Sequence, residues 1–263
     1  MTGAAPVRLA ARLDRDDGAA GIGAIAPFDF RADRDCWRYL EAIEGASLHL
    51  ARTPPVPGPV SLALARAVGD RAAVLAAAAS LLPVTGHLAY LCTSGTFVAG
   101  RAGEAALREA VLSAGATSFV TTSEALVLAA RALGVERLAL LAPYDGELTA
   151  ALVAYLEEGG LEVVAAGCLG LEAEIHRLGS GELRRLVPAV DHPRAEAVLV
   201  SCTNLSTFDV VAGLERRLGK PVVTANQATI WAALAAAGRL GEAKVDHRLF
   251  AHRPPGAAGA VPA

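Results

Sequence analysis

Three short motifs occur twice in this chain, in the same order. Ile25-Ala-Pro-Phe-Asp29 is matched by Leu141-Ala-Pro-Tyr-Asp145, and Leu91-Cys-Thr-Ser94 by Ser201-Cys-Thr-Asn204. Phe119-Val-Thr-Thr-Ser-Glu-Ala125 is matched by Val222-Val-Thr-Ala-Asn-Gln-Ala228. The offsets of 116, 110 and 103 residues shrink steadily, as shorter loops in the second copy would make them. Each copy falls at the C-terminal end of a predicted strand. Alanine-rich composition can imitate one such match, but it does not place two Cys-Thr pairs in register. A chain repeated in this way folds as two related halves.

The pattern between the motifs sets the class of those halves. Strands are expected at Ile22–Pro27, Ser47–Arg52, His87–Cys92, Ser118–Thr121, Leu138–Ala142, Glu162–Ala166, Ala197–Cys202 and Pro221–Thr224. Helical stretches lie between them at Val60–Leu82, Glu104–Ala114, Ser123–Leu133, Glu147–Glu158, Leu205–Leu218 and Gln227–Ala237. Continuous apolar strands alternating with helices indicate parallel sheets covered on both faces. The expected fold is α/β, with two pseudo-symmetric flavodoxin-like lobes, each a parallel sheet flanked by helices. Ligands of such sheets bind beyond the carboxyl ends of the strands, so the active site is expected in the cleft between the lobes. The expected partition gives lobe 1 residues 20–115 plus a C-terminal return over 225–250, and lobe 2 residues 116–224. Residues 1–19 and 251–263 read as peripheral tails.

Composition removes several function classes. With 53% hydrophobic and 19% charged residues the chain is not of the disordered class. Its 24 basic side chains face 27 acidic ones without a basic run, which speaks against a nucleic-acid partner. Ala72–Gly100 carries no Asp, Glu, Lys or Arg over 29 residues, long enough for a membrane span. Pro83, Thr85, Gly86 and His87 interrupt it, so it reads as a buried helix, a turn and a buried strand, with no membrane partner. Met1–Asp17 is mixed and charged, without the apolar run of a secretory signal. A soluble cytoplasmic protein with reduced thiols is expected. Four cysteines do not make a disulfide scaffold, and no histidines pair at metal-ligand spacing. The Gly18, Gly21, Gly23 run precedes a strand rather than following one, so it is not a dinucleotide fingerprint.

The repeated cysteines carry the chemistry. Cys92 and Cys202 each end a predicted strand, and each is followed by hydroxyl or amide residues and then a helix-prone stretch. A cysteine at a helix start has a lowered pKa, and the free N–H groups there can bind a carboxylate. Two thiols facing each other across a cleft could take a proton from one side of a small acid and return one on the other, or add to a double bond and protonate the adduct. The alternative for any cysteine is a small buried hydrophobe at a strand end, the reading adopted for Cys36 and Cys168. Arg177, Arg184 and Arg185 read as a solvated face.

At these residues the sequence resembles the aspartate/glutamate racemase superfamily, and within it the maleate cis-trans isomerase and arylmalonate decarboxylase branch. The motifs are Cys92-Thr-Ser-Gly95, Ser201-Cys-Thr-Asn-Leu205 and Gly219-Lys-Pro-Val-Val-Thr-Ala-Asn-Gln-Ala228 followed by Trp231. The resemblance spans roughly Gly21 to Gly238. It implies a two-lobed enzyme with catalytic cysteines, no metal and no organic cofactor. Decarboxylases of the branch keep only the second cysteine, with glycine at the first; isomerases and racemases keep both. Having Cys92 and Cys202, the chain looks like an isomerase or racemase of a small carboxylic acid. Pro27, Asp29, Thr93, Ser94, Tyr144, Thr203 and Asn204 are the expected substrate-binding residues. The branch's Pro-Ser-Ser-Asn pattern has Phe30 at its asparagine, and the asparagine expected after Gly170 is missing from Leu171–His176, which favours a bulkier or less charged acid than maleate. Asp29 could replace a lost polar group or cap a helix over Arg31–Leu40. A decarboxylase or other carbon–carbon lyase is the alternative, and a non-catalytic two-lobed binding protein the second. The alanine-rich helices could support a homodimer or higher homo-oligomer.

Overall fold

The computed structural model describes residues 21–255. Of the expected tails, 1–19 and 256–263 lie outside those residues; within 251–255, Ala251 closes a short 3-10 turn and the His252 carbonyl accepts the Trp231 indole N–H at 3.0 Å. Strand β1 (Ile22–Ala26) is wholly buried, as an apolar run covered on both faces should be. It pairs in parallel with β2 (Leu48–Arg52) on one side and β3 (His87–Tyr90) on the other. β4 (Ser118–Thr121) pairs with β3 and completes a four-stranded sheet in the order β2-β1-β3-β4. The second sheet holds β5 (Arg137–Ala142), β6 (Glu162–Cys168), β7 (Ala197–Val200) and β8 (Val222–Thr224). Its order is β6-β5-β7-β8, the first order with every number raised by four. The sequence repeat is therefore a repeat of topology, and the expected two-lobed parallel α/β fold is present.

The helices are α1 (Asp33–Arg38), α2 (Leu62–Val68), α3 (Arg71–Leu81), α4 (Ser94–Phe97) and α5 (Gly100–Ser113). They continue with α6 (Thr122–Ala132), α7 (Gly146–Glu158), α8 (Ser180–Ala189), α9 (Phe208–Leu218) and α10 (Ala225–Ala236). Helix α10 packs on β3, β4 and α6 of the first lobe. Both α6 and α10 also touch β8, so together they form the seam between the lobes. The uncharged run Ala72–Gly100 divides into α3, β3 and α4. Among the described residues no helix is long and apolar enough to cross a membrane.

Three expectations need correction. Ser118–Thr121, assigned to the second lobe by a boundary after 115, belongs to the first sheet. Val60–Leu82 is two helices, because Gly69 ends α2 and the Asp70 side chain caps α3 by accepting the Ala73 N–H at 2.9 Å. Only glycine fits at 69, since a Cβ there would lie 2.1 Å from the Gly95 carbonyl oxygen of α4. Helix α8 was not expected; its apolar face is Leu183, Leu186 and Val187, of which Leu183 and Val187 are buried.

Candidate active site

The two sheets present their carboxyl ends to one cleft. Cys92 lies two residues beyond the end of β3, and Cys202 two residues beyond the end of β7. Both line the cleft, and so do Pro27, Asp29, Thr93, Ser94, Tyr144, Thr203 and Asn204. All nine residues selected from sequence are thus brought to one place.

The loops that carry the cysteines are fixed by equivalent side chains of the repeat. Ser123, at the start of α6, donates its hydroxyl to the Thr93 carbonyl at 2.9 Å. Its counterpart Asn226, at the start of α10, donates its amide to the carbonyls of Thr203 at 3.0 Å and Leu205 at 3.2 Å. Thr121 and Thr224 cap these two helices, the second through a capping box with Gln227. The third repeated motif thus positions the second. Across the lobes, the Thr203 hydroxyl donates to the Leu91 carbonyl at 3.0 Å. Asn204 accepts the Arg31 N–H at 2.8 Å and donates to the Asp29 carbonyl and carboxylate, each at 3.3 Å. Its amide is occupied with holding the β1–α1 loop.

The cysteines differ in their surroundings. Cys92 precedes a helix as expected, the four-residue α4, whose Gly95 N–H points to its sulfur at 3.3 Å, whereas Cys202 is followed by a turn in which it holds φ 86°. The first N–H of α9, at Phe208, is taken by the buried carboxyl of Asp35 at 2.9 Å. The expected lowering of the thiol pKa values is not found. Burial pushes Cys92 up, against the Gly95 N–H and the Tyr90 and Ser94 hydroxyls. Burial likewise pushes Cys202 up to about 12, against the Asn204 N–H and the Tyr144 hydroxyl. Desolvation of a buried thiolate outweighs these few donors. Burial therefore favours the protonated form of both thiols. Tyr144 is buried beside both sulfurs, which raises its own pKa through desolvation and the charge of either thiolate.

The remaining expectations resolve one by one. Asp29 does not cap α1, whose N-cap is Ala32 without a side-chain bond; it lies exposed at the rim of the cleft. Phe30 is buried in the core, so that position offers no side chain to the cleft. Cys36 is a core residue, as expected, whereas Cys168 is exposed at the end of edge strand β6. Arg177 and Arg185 pair with Glu174 and Glu182 on the surface, and Arg184 donates to the Asp209 carbonyl. Sequence reading missed the apolar wall of the cleft, formed by Val60, Leu64, Ala65 and Val68 with Phe28 and Ile175. Its signal was the helical spacing of Leu64 and Val68, hidden by joining α2 to α3. The Val60 N–H donates to the Glu172 carbonyl at 2.7 Å, tying this wall to the second lobe. The Thr93 hydroxyl is buried in the cleft lining without a protein partner. Among the described residues no group of three or more His, Cys, Asp or Glu could hold a metal ion.

Comparison with known proteins adds relatives of two activities. The family model for arylmalonate decarboxylase matches residues 66–250. Arylmalonate decarboxylase of Bordetella bronchiseptica is 37% identical over 166 residues, covering 60% of this chain and 68% of that one. Maleate isomerase of Pseudomonas putida is 33% identical over 157 residues, covering 57% of this chain and 63% of that protein, less than two thirds of its length. Among solved structures, a mutant of arylmalonate decarboxylase in the liganded form superposes with a TM-score of 0.78 at 29% identity, covering 88% of this chain and 98% of that one. A Nocardia farcinica maleate cis-trans isomerase mutant shares the fold, with a TM-score of 0.80 at 21% identity over 88% of this chain and 98% of that one.

Proposed function

The chain belongs to the arylmalonate decarboxylase family, and from that premise we propose that it is a cofactor-independent isomerase or racemase of a small carboxylic acid, working through Cys92 and Cys202. The observation that carries this reading is the equivalence of the two thiols. They stand at the same position of the two repeated sheets and line one cleft. An acid held between them has one sulfur on each face. One thiolate takes the proton next to the carboxylate, and the opposite thiol delivers a proton to the other face of the resulting carbanion. On an unsaturated acid the same pair acts by addition of Cys92 to the alkene, rotation about the new single bond, and elimination, with Cys202 handling the proton.

The surroundings suit an acid of this kind. The unpartnered Thr93 hydroxyl is a ready donor to a substrate carboxylate, and so is Tyr144, which stays protonated. The wall of Val60, Leu64 and Val68 fits an apolar substituent better than a second carboxylate. Raised thiol pKa values make each cysteine a poor resting nucleophile but a strong base once ionised, as proton abstraction beside a carboxylate requires.

A second reading has its own support. The same apolar wall would hold the substituent of a malonate, and the matching family model carries the decarboxylase description. A lyase would lose carbon dioxide and need only one thiol to protonate the product. The experiment is a screen of dicarboxylic, amino and aryl-substituted acids in heavy water, following deuterium at the carbon next to the carboxyl and released carbon dioxide together. Isomerisation or exchange that disappears in both Cys92→Ala and Cys202→Ala supports the proposal. Carbon dioxide release from an arylmalonate that survives in Cys92→Ala overturns it in favour of the lyase. Tight binding of an acid with no turnover would leave a binding protein.

A further inference from the structure

Behind the first cysteine, away from the cleft, stands a second hydroxyl that the cleft lining does not include. Tyr90, the last residue of β3, is fully buried, and its hydroxyl donates to the Val68 carbonyl at the end of α2 at 2.9 Å. Gly95 in α4 shows how close this phenol and the thiol come. A Cβ on Gly95 would lie 2.6 Å from the Tyr90 hydroxyl oxygen and 3.1 Å from Cys92 Sγ. Both atoms therefore pack over the one bare Cα, and the Gly95 N–H points to the same sulfur at 3.3 Å. No other residue type at 95 leaves room for both.

We propose that Tyr90 is a positioning residue for Cys92, holding the sulfur over Gly95 and donating a hydrogen bond from its hydroxyl to the thiolate whenever that cysteine ionises. A phenol has one proton to donate. With the thiol neutral, the hydroxyl donates that hydrogen bond to the Val68 carbonyl. A thiolate is a charged acceptor and draws hydrogen bonds more strongly than a neutral carbonyl. Ionisation of Cys92 thus pulls the bond from Val68 to sulfur. The released carbonyl belongs to the helix whose side chains form the apolar wall, so charge on the thiol is linked to the seating of that wall. The other groups that face Cys92 are the Ser94 hydroxyl 3.9 Å away, Tyr144 and Cys202 across the cleft, and the Asp29 carboxylate at its rim. Of these the Asp29 carboxylate opposes the thiolate. Tyr90 and the Gly95 N–H are the donors on the side away from the cleft, where substrate does not displace them.

The inference rests on Cys92 being a working thiol, but its test does not need the substrate. The full-length protein is alkylated with iodoacetamide across a pH series, and each cysteine is followed separately by peptide mass spectrometry. Tyr90→Phe keeps the ring and removes the donor. The midpoint for Cys92 is expected to rise by about one pH unit, a roughly tenfold slower reaction below the midpoint, as for loss of one hydrogen bond to a charged group. The Cys202 profile should stay in place. Gly95→Ala, which leaves the phenol intact but drives a methyl between it and the sulfur, should move Cys92 in the same direction. An unchanged Cys92 midpoint in Tyr90→Phe, or an equal movement of Cys92 and Cys202, overturns the inference. Absence of turnover on every acid in the wild type would sink the functional reading and leave this titration standing.

Discussion

Cys202 holds a backbone angle of φ 86°, in a region that side chains with a Cβ avoid. The conformation is retained by the Asn226 amide on the Thr203 and Leu205 carbonyls, and by the Leu205 N–H on the Cys202 carbonyl at 3.3 Å. Strain of this kind is found where function fixes a side chain. Glycine adopts that angle without the cost, so Cys202→Gly should be more stable than Cys202→Ala by about 1 kcal/mol, measured by denaturant unfolding, while neither variant turns over. The pH response has a definite sign. Burial holds the native Cys202 thiol neutral up to about 12, above its ordinary value of 9.0, so the unfolded chain gives up the proton first. Its contribution to stability is fully present below pH 9 and is lost as pH rises toward 12. Cys202→Ser should flatten that alkaline loss in a series of unfolding curves. The identity of both cysteines was legible in sequence because the repeat singled them out. Their acidity was not, because motif spacing marks strand ends and says nothing of how completely the neighbouring lobe strips water from them.

At the scale of elements, the repeated strand-to-helix junctions do the supporting work. Asn226 serves two loop carbonyls and the Asp35 carboxylate at 3.0 Å, and Asp35 in turn accepts the first N–H of α9. Asn226→Ala leaves several buried groups unpaired at once. It should cost about 2–3 kcal/mol in denaturant unfolding and lower turnover together with stability. These junctions were readable from the Val-Thr-Thr-Ser and Val-Thr-Ala-Asn matches, where a threonine cap ends a strand and opens a helix. The helix covering 60–82 was misread because alanine-rich sequence continues through Gly69-Asp70, although glycine followed by a capping residue is a stop and a start. With α2 merged into α3, the apolar wall of the cleft had no place in the reading. Helix α8 escaped although Leu183, Leu186 and Val187 are helically spaced, because Gly181 and Pro188 read as breakers at either end of so short a stretch.

At the scale of the molecule, the second half repeats the first strand for strand, and the repetition places two equivalent loops against each other. The lobes are bound at the cleft itself, through Thr203 to Leu91, Asn204 to the β1–α1 loop, and Val60 to Glu172. The site is made by the joining of the halves and exists in neither alone. That the two cysteine loops would meet at one cleft followed from the repeat. The apolar side did not, because Val60–Val68 and Ile175 lie outside the repeated motifs and reach the cleft only through tertiary packing. The central claim is that both thiols act on one acid from opposite faces. Its most direct measurement is the rate of deuterium uptake from heavy water, next to the carboxyl group of an acid the wild type turns over, in Cys92→Ser and Cys202→Ser side by side. Each variant is expected to exchange at least about a hundredfold more slowly, as for loss of a positioned acid or base. Exchange at the wild-type rate in both variants would contradict the two-thiol account.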